Sequence, residues 1–244
     1  MRLAGRVSLI TGGAQRIGRE LALALARRDC AVAFTYHHSV RQARATAREI
    51  EACGVRALPI RTDLSKAARV RQLIARIDQV FGRLDILINS AANFDRVRFD
   101  RLTEHDWDRA LDTNLKGPFL CALYASRLMR RQPHAKIINI ADWAGVRPYK
   151  DYLPYCVSKA GVIGLTKALA KELAPRIRVV AIAPGPILPP AGMTAAAAAR
   201  IAARVPLGRW GSPEDLVNTA LFLLEGTDFM TGSTVFVDGG QLIA

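Results

Sequence analysis

The sequence predicts an α/β fold: a single domain built on a doubly wound, seven-stranded parallel sheet with helices on both faces. Three observations predict it. Apolar runs of strand length alternate along the chain with segments of helical period, the pattern of strands joined by right-handed helical crossovers. Those runs are rich in Val and Ile and almost wholly apolar, as strands covered on both faces must be. The chain has 244 residues with no Ser/Gly linker and no fixed-period repeat, a length that buries one substantial core.

Taken in order, the first strand is Arg6–Thr11 (RVSLIT), followed by a helix over Arg16–Arg28. Ala31–Tyr36 precedes a helix over Val40–Cys53, and Val55–Arg61 precedes one over Lys66–Val80. Leu84–Asn89 and Lys136–Ile140 are strands separated by a long helical region, Trp107–Arg131. A helix over Leu153–Leu173 leads to the strand Arg178–Ala183, and a helix over Pro213–Leu224 leads to the last strand, Thr234–Val237. Ligands of such sheets bind beyond the carboxyl ends of the strands. A Pro- and Ala-rich stretch, about residues 187–210, is long enough to serve as a substrate lid there, with Leu188, Met193 and Trp210 as candidate lining.

The formal net charge of +14 comes from 35 Lys and Arg against 21 Asp and Glu. These residues are scattered, and Arg41, Arg44 and Arg48 are spaced along one solvated helix face. No zinc-finger spacing or ribonucleoprotein motif appears, so neither a nucleic-acid partner nor a metal site is expected. The charge serves at most to steer anionic ligands. Cys30, Cys53, Cys121 and Cys156 lie far apart without a CxxC and read as free thiols in a reducing compartment. A strand and a glycine motif fill the first dozen residues, leaving no room for a cleaved signal. The uncharged stretch Val179–Ala199 is broken by Pro184, Pro186, Pro189 and Pro190, which argues against a membrane span. A cytoplasmic protein without a membrane partner is expected.

Thr11-Gly12-Gly13-Ala14-Gln15-Arg16-Ile17-Gly18 closes the first strand and opens the first helix. Glycine there lets backbone approach a diphosphate, and the helix start offers free N–H groups and a positive dipole end. Arg16 stands where a middle glycine of the usual dinucleotide fingerprint would be; it is either an exposed helix-start residue or a guanidinium beside phosphate and substrate. The second strand ends in His37, His38 and Ser39, with Arg41 beyond and no acid. An NAD site places Asp or Glu here for the ribose 2′-hydroxyl, so these donors favour the 2′-phosphate of NADPH. Asp63, before Leu64, accepts from adenine or caps the next helix.

Tyr155-x-x-x-Lys159 puts a phenol and an ammonium on one helix face. A nearby ammonium favours phenolate and so makes the tyrosine a better proton donor near neutrality; the same lysine can hold the nicotinamide ribose. Asn114, inside the long helical region, either bends it or holds a water that links Lys159 to solvent. Asn89 would fix the loop after the fourth strand against the cofactor. Asp142 follows the fifth strand, and beside a poorly solvated ring it would have a raised pKa and donate or pass on a proton. It reads alternatively as a turn-capping residue, Phe94 as core packing, and Cys156 as a packed neighbour of Tyr155.

The Thr11–Gly18 loop, Asn89-Ser90-Ala91, Asn114, Tyr155-x-x-x-Lys159 and Pro184-Gly185 occur in the order of the short-chain dehydrogenase/reductases, which the chain resembles along its whole length. The resemblance implies a Rossmann-type sheet in the order 3-2-1-4-5-6-7 and a homotetramer built through the long helices. It also implies cofactor contacts at Thr11, Gly12, Ile17, Gly18, Leu64, Asn89, Ala91, Pro184, Gly185 and Ile187. Arg16, Asp142 in place of the usual catalytic serine, and Phe94 look like the pteridine reductase branch. That likeness implies a flat pterin between Phe94 and nicotinamide, bound also by Arg16 and Leu188, with Asp142 and Tyr155 handling protons. Ala92 stands where a pterin-contacting serine often sits, and His38 where an arginine is common. The reading is an NADPH-dependent reductase, of a pterin first and of a carbonyl compound as the alternative. A non-catalytic nucleotide- or nucleic-acid-binding protein is a third possibility, opposed by the intact Tyr–Lys pair.

Overall fold

The computed structural model describes residues 1–190 and 192–244; Ala191, within the expected lid, lies outside the described residues. Seven parallel strands form one sheet: β1 (Val7–Thr11), β2 (Ala31–Tyr36), β3 (Ala57–Arg61), β4 (Ile86–Asn89), β5 (Ala135–Ile140), β6 (Ile177–Pro184) and β7 (Thr234–Val237). Their order is β3-β2-β1-β4-β5-β6-β7, as the resemblance implies. Strand order reverses between β1 and β4, which opens a crevice at their carboxyl ends.

Successive side chains of a strand point to opposite faces. Ile10, Ile88 and Ile138 therefore pack on one side with α1 (Arg16–Ala26), α2 (Val40–Ala52) and α8 (Pro213–Leu221). Leu9, Leu87 and Ile137 pack on the other with α3 (Ala67–Phe81), α5 (Gly117–Met129) and α6 (Leu153–Leu173). Each such fully buried side chain stabilises the fold by about 1.5–3 kcal/mol. The edge strands depart from the expected two-sided burial: β3 and β7 are half-exposed, because each has a neighbour on one side only.

The long helical region is two helices in one run. α4 (Glu104–Leu111) starts at a capping box between Thr103 and Asp106, and a π-turn over Asp112–Lys116 joins it to α5. α8 begins at the same device, Ser212 with Asp215, and ends in a second π-turn over Phe222–Gly226. The expected lid contains α7 (Ala195–Ala202), capped by Thr194. Among the described residues, no helix is long and apolar enough to cross a membrane.

At the amino ends of the strands, two buried charges, Asp85 and Lys136, are well partnered. Asp85 accepts from Arg83 Nε (2.9 Å) and Nη2 (2.8 Å), Arg6 Nη1 (3.1 Å) and the Val7 amide (3.0 Å). Lys136 Nζ donates to the carbonyls of Leu223 (2.9 Å), Leu224 (3.0 Å) and Thr227, and pairs with Asp228 at 2.8 Å. These contacts close the carbonyl end of the α8 π-turn.

Candidate active site

A cleft of about 2080 Å³ runs across the carboxyl ends of the strands. Its nucleotide end is lined by Gly12, Arg16, Ile17, Gly18 and Ala91, and further out by His37, His38, Ser39, Asp63 and Leu64. Phe94, Asp142, Tyr155 and Lys159 line its chemical end, and Pro184, Gly185, Ile187 and Leu188 a further wall, with Met193 and Trp210 beyond. Three expected site residues stand behind this wall. Thr11 Oγ1 accepts from the amides of Ser90 (3.0 Å) and Ala91 (3.1 Å), so it ties the β4 loop to β1 and does not face the cleft. Asn89 donates to Asn139 Oδ1 at 2.8 Å. Asn114, in the π-turn, accepts from the Asn93 amide (2.9 Å) and donates to the Asn93 carbonyl (3.0 Å) and Ser158 Oγ (3.1 Å).

The nucleotide end has the form of an anion cradle. Gly12 has φ +69°, and a Cβ there would stand 2.9 Å from Ala91 Cα. Gln15 places no side-chain cap on α1, and the first turn carries no acid, so the positive helix end stays open to a phosphate. Arg16 itself adopts φ +53°, a left-handed conformation that costs a non-glycine residue roughly 1 kcal/mol. Its Nη2 donates to the carbonyls of Leu188 (3.1 Å) and Pro189 (3.5 Å), crossing the mouth of the cleft to the lid. His37 and His38 are exposed with ring centroids 3.9 Å apart, and Arg61 Nε donates to the His37 carbonyl at 3.1 Å. Asp63 does not cap α3, which starts at Ala67 with no side-chain cap; it closes the preceding turn, accepting from Ser65 N (3.0 Å) and Oγ (2.7 Å), and it lines the cleft. Arg41 is exposed on α2 and does not line the cleft.

At the chemical end Asp142 caps a short turn, accepting from the Ala144 amide at 2.8 Å through Oδ1. Its Oδ2 accepts from the Tyr155 hydroxyl at 2.6 Å. The aspartate therefore caps the turn, and the same carboxylate faces the tyrosine. Burial pushes the Asp142 carboxyl up, against the Tyr155 and Ala144 hydrogen bonds and the charge of Lys159. Lys159, 3% exposed, donates to the Ile140 carbonyl at 2.8 Å, and burial lowers it to about 8. The expectation that Lys159 draws Tyr155 towards phenolate is corrected here. Burial first, then the charge and hydrogen bond of Asp142, push Tyr155 well above its ordinary value. The ammonium is 5.7 Å from the Tyr155 ring centroid, whereas the carboxyl touches the hydroxyl. Gly145, in the turn capped by Asp142, packs on the backbone of α6: a Cβ there would lie 2.8 Å from the Lys159 carbonyl carbon.

Phe94 is 44% exposed and so is not core. It stacks on Tyr152 (4.4 Å, 18°) and meets Tyr155 edge-on at 4.6 Å. Tyr149 and Trp143 complete this aromatic wall with a T-shaped pair at 5.2 Å. Sequence reasoning named neither Tyr149 nor Tyr152; the density of aromatics between Asp142 and Tyr155 was the available signal. Among the described residues no group of three or more His, Cys, Asp or Glu side chains is placed to hold a metal ion.

A family profile described as enoyl-(acyl carrier protein) reductase matches residues 12–241. The 3-oxoacyl-[acyl-carrier-protein] reductase of Staphylococcus aureus is 38% identical over 240 residues, covering 96% of this chain and 97% of that protein. The protein of the same name from Synechocystis is 39% identical, covering 99% and 98%. Among solved structures, a short-chain dehydrogenase/reductase from Serratia marcescens superposes with a TM-score of 0.93 at 31% identity, covering 99% of this chain and 100% of that one. A blue fluorescent protein from a metagenomic library, in complex with NADPH, superposes with a TM-score of 0.92 at 30% identity, covering 99% of each. The names of these relatives point to oxoacyl reduction and not to the pteridine reductase branch.

Proposed function

The chain belongs to the short-chain dehydrogenase/reductase family, and we propose that within it the protein is an NADPH-dependent carbonyl reductase. The observation that carries this reading is the Tyr155 hydroxyl, 2.6 Å from Asp142, on the floor of a cleft continuous with the glycine cradle. The relatives named as oxoacyl reductases support a C=O substrate.

The cradle fits a dinucleotide: open helix N–H groups for the diphosphate, and His37, His38 and Ser39 with no acid at the end of β2 for a 2′-phosphate. When bound, the reduced nicotinamide supplies the hydride. Tyr155 gives its proton to the carbonyl oxygen that gains negative charge. Asp142, raised by burial, holds a proton more readily than an ordinary carboxyl and in that form donates a second hydrogen bond, as a serine hydroxyl would. Lys159 orients the ribose, and Asn114 supports a water that links Lys159 to solvent. We place a homotetramer in the same proposal, supported by exposed Phe119 and Leu123 on α5 and Leu153 and Val157 on α6.

A pterin C=N bond is the second reading. It is favoured by Asp142 in the serine's place, by the half-exposed Phe94 ring and by Arg16 at the cleft mouth. NADPH oxidation with purified protein separates the two, comparing ketones and an oxoacyl thioester with dihydrobiopterin and dihydrofolate. Carbonyl reduction predicts turnover of ketones or thioesters that survives Asp142→Ser. Turnover confined to pterins and lost in Asp142→Ser would overturn it.

A further inference from the structure

Two loops meet at the chemical end of the cleft. One follows β4 and carries Phe94 and Arg96; the other leads into α6 and carries Lys150 and Tyr152, and all four residues line the cleft. Asp151 fastens one loop to the other at two points. Its carboxylate accepts from Arg96 Nη2 at 2.7 Å, and its carbonyl accepts from the Val97 amide at 2.9 Å. Beside this fastening, Tyr152 stacks on Phe94 at 4.4 Å, and Phe94 in turn meets the Tyr155 ring at 4.6 Å. Asp151 holds φ +67°, a left-handed conformation that a non-glycine residue keeps only where its surroundings hold it. Glycine would serve a plain turn there without strain; aspartate adds a carboxylate that reaches Arg96. We propose that Asp151 is a specificity-determining positioning residue: with Arg96 it clasps the Phe94 loop and sets the room a substrate has beside Tyr155.

The Asp151 side chain is 15% exposed and that of Arg96 67% exposed. An ion pair with one partner in solvent is weak, and the left-handed backbone offsets part of what it contributes. The clasp is therefore close to balance, holding the loop yet able to open. A carbonyl compound whose substituent reaches Phe94 meets that ring in place only while the clasp is shut, because ring contacts depend on geometry. A ketone too small to reach Phe94 is indifferent to the clasp.

The inference rests on the carbonyl reductase reading proposed above. The test compares steady-state reduction of acetone and acetophenone. Arg96→Gln and Asp151→Gly each remove the ion pair, and glycine keeps the left-handed backbone. Each is expected to raise KM for acetophenone about two- to fivefold, with kcat and the KM for acetone unchanged. The double variant should go no further than either single one, since both open the same clasp. Asp151→Asn, which tolerates the left-handed backbone and keeps an acceptor oxygen, should fall between the wild type and Asp151→Gly. Equal shifts for both ketones, no shift for either, or shifts that add in the double variant would overturn the inference. The Val97 amide reports on the clasp without substrate: its hydrogen exchange in cofactor-free protein should quicken in both single variants, and unmoved exchange would also overturn the inference. If the wild type reduces neither ketone, the reductase reading loses its support, and exchange at Val97 decides the clasp by itself.

Discussion

Lys136 and Lys159 sit at opposite ends of one strand, and both are 3% exposed. Lys136, at the amino end of β5, is surrounded by three carbonyls and the Asp228 carboxylate. Lys159, from α6, reaches the other end and finds one carbonyl, that of Ile140. Burial of an ammonium is tolerated where its protons are matched and is costly where they are not. The carboxyl end of the sheet carries the mismatched groups: the lysine lowered to about 8 and the carboxyl pushed up. Lys136 is matched within the fold, whereas Lys159 and Asp142 keep the unmatched capacity that the proposed function assigns to a ligand.

The largest effect expected of this contrast is on turnover. Lys159→Met should lower kcat/KM on the order of 10²–10⁴-fold with little loss of stability, read from steady-state kinetics beside a urea midpoint. If it destabilised the protein as much as the Lys136 variant, the contrast would collapse. Lys136→Met should do the reverse, lowering stability by about 3 kcal/mol by leaving three carbonyls and a half-exposed carboxylate unmatched. Its midpoint should fall at constant m, with the kcat of the folded fraction unchanged.

The smallest expected effect is a pH dependence. Lys159 is depressed in the fold from the ordinary 10.5 to about 8. A depressed pKa contributes stability that is fully present above the ordinary value and is lost as pH falls through about 8. Cofactor-free protein should therefore gain roughly 2–3 kcal/mol relative to Lys159→Met between neutral pH and the ordinary lysine pKa. Paired denaturation curves across that range check it; parallel curves would mean that Lys159 finds partners comparable to those of Lys136.

Much of this was legible in the sequence. Strand runs, glycine loop and Tyr–Lys pair are local patterns, and they landed within a few residues of the observed elements. The sheet order was legible only through family likeness, since periodicity does not tell which strands are neighbours. The π-turn at Asp112–Lys116 was hidden because one extra residue leaves the apolar period of the run almost unchanged. Thr11, Asn89 and Asn114 lie at the expected end of the sheet, but that they bond neighbouring segments and do not line the cleft was not legible, because motif position does not say which way a side chain turns. Lys136 read as part of an apolar strand; its partners are more than 85 residues away in the chain.

Gly145 gives the two halves of the catalytic group their clearance. The turn that carries Asp142 rides against the helix that carries Tyr155 and Lys159, and the gap between them holds no side chain. A methyl group at that position would act as a shim, prising apart the 2.6 Å hydrogen bond between Asp142, three residues before it, and Tyr155. In a saturation library screened for turnover, position 145 should tolerate fewer replacements than position 142, although glycine there contributes no atom to the chemistry.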